Sequence, residues 1–167
     1  DNIDALPMST TAGSAAFKNN IPNNDSFLVK RLKEKGALIL GKVNLSEWAY
    51  YFCQNCPLGY SALGGQTLNP YGRKIFETGG SSSGSGVAVA ANYSVAAIGS
   101  ETSGSILSPS GKNSVVGLKP TVGSISRNGI IPISSSLDTA GPMAKSVMDT
   151  AILMNALIGF DSNDEYS

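Results

Sequence analysis

Between Gly79 and Ser110 the chain carries two Ser/Gly clusters, Gly79-Gly-Ser-Ser-Ser-Gly-Ser-Gly and Gly99-Ser-Glu-Thr-Ser-Gly-Ser, separated by a run of small apolar residues. Glycine tolerates φ > 0 and lets other backbone or a substrate come close. The first cluster runs into a predicted helix, Ser82 to Tyr93, whose Val87-Ala-Val-Ala-Ala stretch is small enough for close packing on a sheet. The second leaves a predicted buried strand, Val95 to Ile98. A Ser/Gly-rich stretch alone reads as a flexible loop. At element ends, where backbone N–H groups are free to bind an anion, the same residues read as a site.

The flanking segments predict more helix-to-strand units. Asp25 to Lys35 reads as a helix, with Leu28 and Leu32 one turn apart, basic residues late and Gly36 as the stop. Ala37 to Gly41 follows as a short apolar run suited to a strand buried on both faces. Asn44 is expected to cap a short helix reaching Tyr50, and Gln54 to Thr78 forms a long irregular segment. Val115 to Leu118 reads as a strand and Gly123 to Ile133 as turn-rich chain. A last helix, Lys145 to Ile158, would bury the stripe Val147, Ala151, Met154 and Ile158, leaving Asp161 to Ser167 as a frayed polar tail. Helix followed tightly by strand implies an α/β fold, and 167 residues suit one folded unit.

Twelve basic and twelve acidic residues cancel, and no basic tract stands out, which excludes a nucleic-acid binder. No apolar run is long enough to span a bilayer, and the start resembles no signal peptide, so no membrane partner and a cytoplasmic location are expected. The first residue is Asp1 and not methionine, so the chain is expected to begin within a longer protein. There is no histidine, which removes the commonest general base and every Ser-His-Asp triad. Gly80-Ser-Ser-Ser-Gly84 matches the nucleophile-elbow pattern with Ser82 as nucleophile, but that chemistry requires a histidine. Gly111-Lys112 lacks the rest of a phosphate-binding loop, and no lysine has a serine three places before it. Cys53 and Cys56 form a C-x-x-C. With no third cysteine to complete a zinc site and no thioredoxin-like context, they read as structural or free thiols.

Four motifs in order, Gly79-Gly-Ser-Ser-Ser-Gly-Ser-Gly, Gly99-Ser-Glu-Thr-Ser-Gly-Ser-Ile, Val116-Gly-Leu-Lys-Pro-Thr-Val-Gly and Asp138-Thr-Ala-Gly-Pro-Met, resemble the amidase signature family. The similarity starts at Asp1-Asn-Ile-Asp, includes Gly41-Lys-Val-Asn-Leu-Ser-Glu-Trp, and covers essentially the whole chain, nearest the peptide-amidase and general-amidase branch. The resemblance implies a mixed central sheet flanked by helices, of which residues 1–167 would be a single segment of a larger amidase domain. It also implies hydrolysis of small-molecule or peptide carboxamides by a Ser, cis-Ser, Lys triad, without metal or cofactor.

By position, Ser105 would be the nucleophile and Ser81 the bridging serine, after a cis Gly80–Ser81 peptide. Ser82 would be the hydrogen-bonding neighbour, and the backbone N–H groups of Thr102, Ser103, Gly104 and Ser105 the oxyanion hole. The family lysine would directly precede Asp1, and Lys42, Lys112 and Lys119 would be structural or surface residues. The family's usual Gly-Gly-Ser is Ser103-Gly104-Ser105 here, and Leu107 stands where an arginine often lies, which points to neutral amides. Two other readings are an amidotransferase subunit of the same family, working with a partner enzyme, and a non-catalytic amide-binding or assembly module.

Overall fold

The computed structural model describes all residues, Asp1–Ser167. Four helices, α1 (Phe27–Glu34), α2 (Ser83–Ala90), α3 (Leu107–Lys112) and α4 (Val147–Leu157), surround a three-stranded sheet. Its strands are β3 (Ala96–Glu101), β4 (Val116–Gly117) and β5 (Thr139–Ala144), ordered β3-β5-β4 with every pair antiparallel. A two-residue hairpin, β1 (Tyr60–Ser61) with β2 (Gly65–Gln66), interrupts the long irregular segment. No helix is long and apolar enough to cross a membrane.

Alternation along the central strand β5 places helices on both sides of it. Ala140 belongs to a core of Ala5, Leu28, Val29, Leu32, Ile125 and Leu157, which joins the sheet to α1 and α4. Its neighbour Gly141 lies against Ile106, at the start of α3, with no room for a side chain. Opposite it in register is Gly99, which also contacts Ile106 and leaves β3 close to the Ser82 hydroxyl at the head of α2. Small residues on this face therefore let the two Ser/Gly clusters meet over the end of the sheet.

Several expectations need correction. The strand predicted at Ala37 to Gly41 has no pairing partner: Leu38 and Leu40 are 87% and 75% exposed, and only Ile39 packs on the core. A strand buried on both faces requires neighbours that residues 1–167 do not supply. Asn44 caps no helix. Its amide donates to Gly59 O, Gly65 O and Thr67 Oγ1 and accepts from Ser61 Oγ, while Ser46 precedes the short turn Glu47–Tyr50. The predicted α4 stripe is also displaced: Val147, Ala151 and Ile158 face outward, and the inward residues are Thr150, Leu153, Met154 and Leu157. The tail is tied down, since Ser126 Oγ donates to the buried Asp161 and Arg127 grips the buried Asp164. Cys53 and Cys56 are joined as a disulfide and are not free thiols. β5 itself was not anticipated, because Thr139-Ala-Gly-Pro-Met-Ala has weak strand propensity and Pro142 cannot donate to a ladder.

A close backbone approach occurs at Gly84 in the first turn of α2, whose N–H donates to Asn44 O at 3.0 Å. A Cβ there would overlap that oxygen and lie 2.7 Å from Asn44 N, both of them backbone atoms. Gly84→Ala is therefore expected to destabilise the chain by about 1–3 kcal/mol, measured by urea unfolding with an unchanged m-value.

Candidate active site

The second Ser/Gly cluster is the connection between β3, ending at Glu101, and α3, starting at Leu107, and Ser105 lies within it. The buried Glu101 carboxylate accepts from Ile106 N at 2.6 Å and Leu107 N at 2.9 Å, which anchors the connection to the strand end. Gly104 has φ +84°, and the turn it makes exposes the preceding backbone. The N–H groups of Thr102, Ser103, Gly104 and Ser105 meet no acceptor within the chain, leaving four consecutive donors beside the Ser105 hydroxyl.

The first cluster enters α2 through a cis Gly80–Ser81 peptide. Three donors hold the Ser81 carbonyl, Ser46 N at 3.0 Å, Ser83 N at 2.8 Å and Ser83 Oγ at 3.4 Å. Its hydroxyl is buried and has no hydrogen-bond partner. Ser82 links the clusters: its N–H donates to Ser105 O at 3.1 Å, and its hydroxyl donates to Ser100 O and accepts from Ser100 N, both at 3.0 Å. The Ser82 hydroxyl thus bonds to β3 and not, as the resemblance implied, to Ser81.

Ser81, Thr102 and Ser105 open onto one cleft of about 300 Å³, whose walls include Asn2, Arg127 and Asp138. Ser103 and Gly104 are not among the residues that line it, Gly80 and Ser82 are buried beside it, and Leu107 is half-exposed outside it. The Ser81 and Ser105 hydroxyls share the cleft without hydrogen-bonding to each other. Contacts of this kind are commonly loose without substrate and tighten when it binds.

Residues that carried no role in the sequence reading support the cleft. Asn2 Nδ2 donates to Ser100 Oγ at 2.8 Å. Asp138 accepts from Thr102 Oγ1 at 2.5 Å and from the N–H groups of Ile133 and Ser134 at 2.7 and 2.8 Å, coupling the donor loop to the opposite wall. Asp138 opens a motif the sequence does display, but its partners lie 36, 5 and 4 residues away in the chain and had no local signature. Arg127 makes paired bonds to Asp164, Nε at 2.9 Å and Nη2 at 2.6 Å, and stacks 4.4 Å from the Tyr166 ring centre. The guanidinium holds the Asp164 carboxyl well below the usual carboxylate range.

The Amidase family profile matches residues 1–167. The chain belongs to the amidase family. It superposes on the native peptide amidase of Stenotrophomonas maltophilia with a TM-score of 0.97 at 56% identity, covering 99% of this chain and 34% of that one. It is 48% identical over 158 residues to a probable amidase of Arabidopsis thaliana, covering 95% of this chain and 31% of the relative. It is 43% identical over 170 residues to a glutamyl-tRNA(Gln) amidotransferase subunit of Lawsonia intracellularis, covering all of this chain and 33% of the relative. This amidase chain thus spans about a third of the length of the relatives it matches.

None of Lys42, Lys112 and Lys119 reaches the cleft. Lys112 is exposed beside Glu77, and Lys119 is half-buried elsewhere. Lys42 is the buried one, and its ammonium is already committed to Ser9 O at 2.6 Å, Thr10 Oγ1 at 2.9 Å and Asp1 Oδ1 at 2.9 Å. Burial pulls its pKa down to about 8, partly offset by the charge of Asp4. Between pH 8 and the ordinary lysine value of 10.5, the folded amidase chain sheds this proton while the unfolded chain keeps it. Stability should therefore rise with pH across that window. Chemical denaturation at a series of pH values should show this rise in the wild type and its loss in Lys42→Met.

Proposed function

We propose that these residues form the signature segment of a longer amide hydrolase that cleaves the C–N bond of neutral carboxamides through an acyl-enzyme on Ser105. The observation that carries the reading is the buried, unpartnered hydroxyl of Ser81, a residue that lines the same cleft as Ser105. A buried hydroxyl left unpaired is costly unless a partner arrives with the substrate or from a neighbouring segment.

The chemistry then follows from what each group can do. A serine hydroxyl is a weak nucleophile at neutral pH and must lose its proton as it attacks. Ser105 Oγ bonds to the amide carbon, and its proton passes to Ser81 and on to a neutral lysine amine directly preceding Asp1. The negative charge that develops on the carbonyl oxygen is received by the free N–H groups of Thr102 to Ser105, which are preorganised by Glu101 and Asp138. The lysine proton returns through Ser81 to the nitrogen, the C–N bond breaks, and ammonia leaves. Water then cleaves the acyl ester by the same proton path. Ser81 and Ser105 can relay a proton but cannot hold one at this pH, so the base must be a different group.

The relatedness to an amidotransferase subunit supports a second reading, in which the released ammonia serves a partner enzyme; copurifying subunits would favour it. The Cys53–Cys56 disulfide weighs against a cytoplasmic location, because such bonds persist mainly in oxidising compartments.

The 167-residue chain alone is expected to show no turnover of a simple carboxamide. A polypeptide of the relatives' length, with lysine before Asp1, should be active. In it, Ser105→Ala or replacement of that lysine should each lower kcat by about 10⁴-fold or more, and Ser81→Ala should lower kcat with little change in the unfolding midpoint. Turnover by the 167-residue chain that disappears in Ser105→Ala would overturn the role of the upstream lysine.

A further inference from the structure

Glu101 and Thr139 form the last pair of the β3–β5 ladder, so the next residues on the two strands are Thr102 and Asp138. Backbone pairing stops there and a side-chain bond takes its place: Thr102 Oγ1 donates to Asp138 Oδ1 at 2.5 Å. The other carboxylate oxygen, Oδ2, accepts from Ile133 N at 2.7 Å and Ser134 N at 2.8 Å, while Asp138 N donates to Ser134 O at 3.0 Å. The carboxylate is thus oriented by a turn closed on itself before it reaches Thr102. Being acceptor-only, it serves all three donors at once with its two oxygens, and hydrogen bonds to a charged acceptor are the strong ones. Every partner in this latch is supplied by residues 1–167.

The latch acts at the near end of the donor loop. Glu101 Oε2 fixes Ile106 N and Leu107 N at the far end, and between the two fixed points lie Ser103, Gly104 and Ser105, whose N–H groups meet no acceptor in the chain. Gly104, at φ +84°, gives this stretch a position of wide conformational freedom. Thr102 is β-branched and stiff at χ1, so holding its Oγ1 also sets the direction of its own N–H. Thr102, Ser105 and Asp138 line one cleft.

We propose that Asp138 is a positioning residue for amide hydrolysis, acting through the Thr102 hydroxyl to aim the Thr102 N–H at the oxyanion. The assignment rests on the hydrolase reading above. Asp138 itself touches no reacting atom. The donors matter only once charge develops on the carbonyl oxygen, so loss of the latch lowers kcat and leaves binding of the amide nearly unchanged.

The test uses the longer polypeptide, with N-acetyl-glycinamide as substrate and N-acetyl-glycinal as inhibitor. Ser105 Oγ adds to the aldehyde carbon of the inhibitor, and its oxygen becomes the oxyanion. Thr102→Val removes the hydroxyl and leaves the bonds of Asp138 to Ile133 and Ser134 in place. It should lower kcat about tenfold or more, a part of the roughly 10²–10³-fold that loss of a whole oxyanion donor costs. KM should stay within about twofold, and aldehyde inhibition should weaken by the same factor as kcat. Thr102→Ser, which keeps the hydroxyl, should recover most of the loss. In an Asp138→Ala background, Thr102→Val should cost nothing further, because the pair acts as a unit. If Asp138→Ala does not fold, the valine and serine variants of Thr102 decide the matter alone. An unchanged kcat in Thr102→Val, a loss confined to KM, a serine variant as slow as the valine one, or losses that add in the double variant overturns the role. Wild-type turnover that needs Ser105 but is indifferent to these substitutions removes this role and leaves the hydrolase reading standing. Absence of any turnover that needs Ser105 removes both.

Discussion

Ser82 holds the site together. One residue gives three hydrogen bonds across two loops, N–H to Ser105 O and hydroxyl to both backbone groups of Ser100. The first cluster is thereby locked onto the end of β3 and the start of the connection that carries Ser105. The contact is possible because Gly99, Gly86 and Gly84 let β3, α3 and the Asn44 segment come close to the start of α2. Side chains at these positions would push the two loops apart, and Ser81 and Ser105 would no longer line one cleft. Glu101 completes the arrangement from below by fixing Ile106 and Leu107, so the donor loop is fastened at both ends. Such preorganisation is what lets backbone dipoles stabilise charge that develops during a reaction.

The cleft carries charged groups but offers none of them freely. Glu101 is engaged with backbone N–H groups, and Asp138 with Thr102 and the backbone of Ile133 and Ser134. The Arg127 guanidinium is taken up by Asp164 and the Ser135 carbonyl. A buried guanidinium already paired in this way gains little from a second anion, and breaking its pair is costly. Such walls leave no unpaired charge facing the cleft. Leu107, from which the sequence reading drew its leaning to neutral amides, lies outside the cleft.

From sequence alone, the local elements and the two Ser/Gly loops were legible. Apolar spacing and caps located α1, α2 and α4 to within a few residues, and the order of the Ser/Gly motifs singled out Ser81 and Ser105, which the fold brings to one cleft. These features depend on residues close together in the chain, where periodicity and glycine chemistry are written directly. Tertiary structure decided what depends on distant partners. It made Thr139–Ala144 the central strand despite its composition, left Ala37 to Gly41 unpaired, and turned α4 so that Thr150, Leu153 and Leu157 face inward. It drew the polar tail into the structure through Arg127 and Ser126, and it assigned Asn44, Glu101 and Asp138 their work. A buried polar group is defined by the acceptor or donor it meets, and across tens of residues only the folded chain specifies that meeting.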